Sequence, residues 1–184
     1  MRTIQEAIET NQYEELVKLC TNSSREQAKA TIDEMFEIIR STKKATVRNT
    51  ISIVMRELRL DEAVDTLVEL INNPENRNCR GTMLYALEAL HCESRVKDLL
   101  YLLQEGNYET QYNVYCLVME KSLSMTFLER KECLSVLRKM MEFEHDENVT
   151  DTLSECISQM EKLLNSTTIQ DYKEQKTGQQ NIER

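Results

Sequence analysis

Apolar side chains recur along this chain in steps of three and four with polar residues between them, the spacing of amphipathic helices. Ala28, Ile32, Met35, Phe36 and Ile39 mark a helix running from a cap at Ser23 or Ser24 to about residue 40. Val47, Ile51, Val54, Met55 and Leu58 mark the next, over about 45–59. Val64, Leu67, Val68, Leu70 and Ile71 mark a third, capped by Asp61 and running to 72. Helices over about 77–91 and 94–105 follow, then one near Thr110 with Tyr112, Val114, Leu117 and Val118. Another carries Phe127, Leu134, Leu137 and Met140, and a last, over about 147–165, carries Leu153, Ile157, Met160 and Leu164. Two short helices, 2–10 and 12–20, precede these and part at Asn11. Asn72-Asn73-Pro74 and Gly106-Asn107 punctuate the pattern, because proline cannot continue a helix and glycine suits its end.

Shifted by 32 residues, the chain overlays itself. Arg48, Thr50, Leu58, Val64, Leu67, Leu70 and Ile71 fall on Arg80, Thr82, Leu90, Val96, Leu99, Leu102 and Leu103. A period in this range is the mark of a helical solenoid, whose units bury their faces against their neighbours. The pairs Val47-Arg48 and Cys79-Arg80 open successive units, and Leu67-Val68-Glu69-Leu70-Ile71 is echoed by Leu99-Leu100-Tyr101-Leu102-Leu103. These features resemble HEAT-like repeats over roughly residues 24–165, without the frequent mid-unit proline. The expected fold is all-α, a short right-handed α-solenoid of HEAT-like helix pairs with about nine or ten helices. Residues 1–165 are expected to form one such domain and 166–184 a polar, frayed tail.

Composition agrees with an all-α chain: the sequence holds 3 Gly and 1 Pro, too few for a sheet with many hairpins. Its net charge of −9, from 32 acidic and 23 basic residues, argues against direct binding of nucleic acid, which needs a basic stripe. The same surplus has two readings, a solvated surface or attraction to a basic partner. The first eight residues do not form a secretory signal, no stretch is long enough to span a bilayer, and a cytoplasmic protein is expected. Six cysteines at 20, 79, 92, 116, 133 and 156 make no C-x-x-C pair, and most sit on apolar stripes, so reduced core cysteines are expected.

Catalytic and ligand-binding patterns are missing. Three scattered glycines cannot cradle a phosphate, His91-Cys92 and His145 lack the companions of a metal site, and no cysteine has an activating histidine in sequence view. No catalytic residue, metal or cofactor is therefore expected, and the chain reads as a binding module rather than an enzyme. Its variable positions lie on the outward face of each unit's second helix. Asp61, Asp65, Glu69 and Asn72 share that face in one unit, and Glu93, Lys97, Tyr101 and Gln104 in the next, with Lys139 a third member beside Glu69 and Tyr101. Partner binding is expected at Asp61, Asp65, Glu69, Glu93, Lys97, Tyr101 and Lys139, with Tyr101 as the anchor. Tyr85, Tyr108, Tyr112 and Tyr115 are expected to serve core packing or the outer surface.

Small acidic HEAT-like proteins are similar to the immunity proteins of bacterial toxin systems, including contact-dependent growth inhibition. That resemblance implies a cytosolic inhibitor that binds and neutralises one basic, nuclease-like toxin domain; of the oligomeric states, a monomer is favoured. A general adaptor joining two proteins is the alternative; a HEAT-like lyase or DNA glycosylase is a third, against which the acidic charge argues.

Overall fold

The computed structural model describes residues 4–180, with side chains through residue 166. Its α-helices are α1 (Ile4–Glu9), α2 (Tyr13–Asn22), α3 (Arg25–Ser41), α4 (Ala45–Glu57), α5 (Val64–Asn72), α6 (Gly81–Glu88), α7 (Leu102–Glu105), α8 (Tyr108–Lys121), α9 (Phe127–Met141) and α10 (Glu147–Gln180). Short 3-10 segments stand at Asp61–Ala63, Pro74–Asn76 and Glu93–Leu99. The described residues are all-helical, with no strand, and none of their helices is long and apolar enough to cross a membrane.

Local chemistry explains most of the boundaries. At α3 the Ser24 hydroxyl accepts the Gln27 N–H while the Gln27 side chain accepts the Ser24 N–H, a reciprocal cap repeated by Thr126 and Glu129 at α9. Asn107 caps α8 by accepting the Thr110 N–H at 2.9 Å. Helices α1 and α4 both close in a left-handed residue, Asn11 at φ 56° and Arg59 at φ 51°. After Arg59 the Leu60 N–H reaches back to the Met55 carbonyl at 3.0 Å, the paired closure of a Schellman turn.

Three expected elements differ. The helix expected over 77–91 is only Gly81–Glu88, because the 3-10 turn at Pro74–Asn76 and a Cys79 N–H to Asn76 carbonyl bond precede it. Gly81 then opens the helix where a Cβ would meet the Glu109 carboxylate at 2.3 Å. Its partner, expected over 94–105, is the 3-10 segment Glu93–Leu99 followed by the single turn of α7. Val96, Leu99 and Leu102 are spaced strictly by three and all are buried, the spacing that a three-residue turn lines up. The last helix, expected over 147–165, continues in backbone to Gln180.

The helices pack in two layers. α4 lies between α2 and α6, α6 meets α8, and α8 meets α10. On the other side α5 packs on the Glu93–Leu99 segment, which packs in turn on α9, while α3 packs on α4. Between the layers Met35, Ile51, Met55, Leu67, Ile71, Met83, Leu84 and Leu87 are fully buried, each contributing about 2 kcal/mol of transfer free energy.

Basic side chains close the ends of these helices. Arg48, buried, donates to the Thr42 carbonyl at 2.9 Å, and Arg80, also buried, donates to Ile71 at 2.6 Å, so both arginines of the sequence echo finish the helix before their own. Lys121 does the same for α6 through the Glu88 carbonyl (2.7 Å), and Arg130 for α8 through Ser122 (2.9 Å). Positive charge is favourable at these carbonyl ends. Arg48, Arg80 and Lys121 are buried in these roles, so three cations are withdrawn from an already acidic surface.

Candidate functional site

Most residues of the expected strip are held by their neighbours. Asp61 begins a 3-10 turn and does not cap α5, whose first turn has no side-chain cap. Instead its carboxylate accepts the His91 backbone N–H at 2.9 Å and contacts His91 Nδ1 at 2.7 Å. That backbone bond, then the ring, hold the Asp61 carboxyl below its ordinary range. Asp65 pairs with Arg95, which also bonds Asp98 at 2.7 Å. Glu93 accepts from the Ser124 hydroxyl at 2.8 Å, Lys97 pairs with Glu132, and the Tyr101 hydroxyl donates to Asn72 at 3.1 Å. Glu69 and Lys139 are exposed, and their side chains make no bond among the described residues.

These bonds have a common sequence span. Asp61–His91 and Asp65–Arg95 join residues 30 apart, Arg48–Cys79 and Glu93–Ser124 join residues 31 apart, and Asn72–Tyr101 joins residues 29 apart. These polar side chains therefore join residues at nearly the interval of the sequence echo. Tyr101, expected as an interface anchor, is half-buried and serves as one of these links.

A surface with fewer internal bonds lies beside the strip. Asp33, Glu34 and Glu37 on α3 and Glu62 of the 3-10 turn border an open groove of about 450 Å³ with Phe36 and Arg40. Arg40 lies over the Phe36 ring at 5.3 Å, donates to the Thr66 hydroxyl at 3.0 Å and pairs loosely with Glu37 at 3.9 Å. Lys29, one turn before on α3, pairs with Asp33 at 3.2 Å, so Arg40 and Lys29 face four carboxylates there. Glu34 and Glu62, like Glu69, are exposed, with no side-chain bond among the described residues. Reading this groove from sequence needed the packing of α3 beside residue 62, which the 32-residue overlay does not reach.

A second groove, of about 290 Å³, opens in the other layer between α8 and α10, over Leu103. Tyr108, Tyr112 and Tyr115 form one wall, and Asn148, Asp151, Thr152 and Glu155 the other. Tyr108 and Tyr112 are 83% and 57% exposed. Tyr115 is half-buried and its hydroxyl donates to Glu155 at 2.6 Å, which pushes its pKa up to about 12. The signal was present as tyrosines at steps of four and three, which place all three on one face of α8.

All six cysteines are free, and burial pushes the thiols of Cys92 and Cys156 up to about 12 and that of Cys133 to about 11, away from the reactive thiolate. Among the described residues no three His, Cys, Asp or Glu side chains group as a metal site requires. His91 and His145 are both exposed at helix ends. Compared with protein-family models, with curated proteins and with solved structures, the chain finds no match.

Proposed function

We propose that this chain is a short HEAT-like α-solenoid that works as a binding module, and that its partner is a basic protein domain held on the acidic second-helix face. The observation that carries this reading is the groove of Asp33, Glu34, Glu37 and Glu62, continued by the unpaired Glu69. Lys29 pairs with Asp33 and Arg40 with Glu37, which leaves Glu34 and Glu62 without a counter-charge among the described residues. Such a surface speeds encounter with a positively charged partner and rejects acidic ones. The two packed layers and the bonds at intervals near 30 residues support the solenoid arrangement. An immunity-type role, in which the chain neutralises a nuclease-like toxin domain in the cytoplasm, fits the surplus acid and the resemblance drawn from the repeats.

The test is binding of the purified chain to a panel of basic nuclease-like toxin domains by titration calorimetry, with nuclease turnover read in parallel. Tight binding that silences one nuclease is the expected result. Combined Glu37→Lys, Glu62→Lys and Glu69→Lys should weaken it at least a hundredfold, whereas Glu57→Lys on α4 should change it less than twofold. Undiminished affinity in the triple variant would move the interface elsewhere. The adaptor alternative gains support from one feature, the tyrosine groove in the opposite layer.

A further inference from the structure

Two exposed aromatic rings, Tyr85 and Phe127, and the half-buried Phe36 ring each carry a cation of the same chain. Arg40 lies over Phe36 at 5.3 Å, Arg56 over Tyr85 at 3.8 Å and Lys131 over Phe127 at 4.9 Å. Each pairing uses the negative ring face to hold a positive charge. Tyr108 and Tyr112 are exposed side by side on α8, and no cation among the described residues lies over either ring. Phe143 is also uncovered, but it does not line the groove.

The surroundings of these two rings have a matching chemistry. The groove of α8 and α10 has Asp151 and Glu155 as its charged side chains and is lined by no lysine, arginine or histidine. Glu155 is engaged by the Tyr115 hydroxyl, while Asp151 is exposed. Across the groove the Tyr115 hydroxyl of α8 reaches Glu155 of α10, 40 residues on. The Asp146 carboxylate accepts the Asn148 and Val149 N–H groups at 2.9 and 3.2 Å, fixing where the Asp151 wall begins. About 290 Å³ suits a long side chain and its flanking backbone better than a folded element.

We infer that this groove receives an arginine side chain from an extended segment of a partner protein, stacked on Tyr108 and Tyr112 and paired with Asp151. A guanidinium fits both demands, because its plane stacks on rings and its fork matches a carboxylate. The site does not depend on the toxin reading, since it lies in the other helix layer.

The probe is the peptide acetyl-Gly-Ser-Arg-Gly-Arg-Ser-Gly-amide, with a twin carrying citrulline, the uncharged isostere, at both arginines. Binding is followed by amide shifts and by tyrosine fluorescence, which no tryptophan obscures in this chain. The expected result is saturable shifts over 108–115 and 148–155 with the arginine peptide and at least tenfold weaker binding of the citrulline twin. Tyr108→Ala plus Tyr112→Ala should weaken binding about tenfold, with an unchanged melting curve because both rings stand outside the core. Tyr112→Phe, which keeps the ring face, should stay within about twofold, and Asp151→Asn should remove most of the salt dependence. The triple reversal at Glu37, Glu62 and Glu69 should leave peptide binding within twofold, so failure of either idea is separable from failure of the other. Equal binding of the citrulline twin, shifts confined to α3, or no saturable shift would each overturn the inference.

Discussion

Residues 45–72 and 77–105 place an arginine and a run of leucines at matching positions, yet they wind them differently. In the first stretch α4 and α5 are regular, and Val64, Leu67, Val68 and Ile71 face the core at α-helical spacing. In the second, α6 is two turns long and its partner is a 3-10 segment with one α turn appended. Both stretches bury their arginine and aim it at the end of the preceding helix. Burial of matched apolar positions therefore decides where each element lies, while residue spacing within the element decides how it coils. The outward residues then follow position: Asp61 and Glu93, one repeat apart, each accept a bond from a residue 30 or 31 further on.

The sharpest way to probe that difference is to empty the same core position in both. Leu67 and Leu99 match in the overlay and are 0% and 1% exposed. Leu67→Ala is expected to cost about 3 kcal/mol in urea unfolding, the middle of the range for a cavity in a rigid helix. Leu99→Ala should cost about 2 kcal/mol, because a 3-10 turn has poorer hydrogen bonds and can rewind into the space. An equal or larger loss at Leu99 would show that the 3-10 segment is as rigid as α5.

The buried arginines give a smaller contrast. Arg80 donates from Nε to the carbonyl of fully buried Ile71, and Arg80→Met strands that acceptor at about 2 kcal/mol. Arg48 uses its two terminal nitrogens, on the Thr42 carbonyl and Cys79 Sγ, and leaves its buried Nε unpartnered. Replacing it removes that orphan donor along with the bonds, so Arg48→Met should cost about 1 kcal/mol. The reverse order in denaturant titrations would mean that the Thr42 contact carries more than its geometry suggests.

What the sequence discloses and conceals follows from the range of each interaction. The caps at Ser24 and Asn107 and the break at Asn11 depend on residues within four of each other, and each stands where its local chemistry puts it. The apolar register from Val47 to Leu103 was legible because a core position must be apolar whatever it touches. The winding of residues 93–99 was hidden, since a step of three suits both helix types. The fate of Asp61, Asp65 and Tyr101 was hidden for another reason: their partners lie about 30 residues away, and only packing shows that His91, Arg95 and Asn72 stand opposite. Of the proposed binding strip, the side chains of Glu69 and Lys139 stay unbonded, and the Tyr108–Tyr115 face was seen only as surface or core.

The turn between paired helices offers the smallest effect and the clearest sign. Arg59 follows α4 in the left-handed region at φ 51°, where an L side chain is strained and glycine is not. Its exposed side chain makes no bond among the described residues, so Arg59→Gly removes strain and little else. Relief of about 1–2 kcal/mol is offset by the greater freedom glycine has in the unfolded chain, about 0.5–1 kcal/mol. A net gain of about 0.5 kcal/mol is expected, roughly 1–2 °C in Tm for a domain of this size. The matching position one repeat later is His91, whose φ is not positive and whose backbone and ring both hold Asp61. There the same substitution adds unfolded-state entropy and removes a bond, so His91→Gly should lower Tm. Opposite signs at two positions that the overlay equates would show that the turn follows its own backbone geometry, independent of the shared apolar register; like signs would mean that Arg59 is not strained in solution.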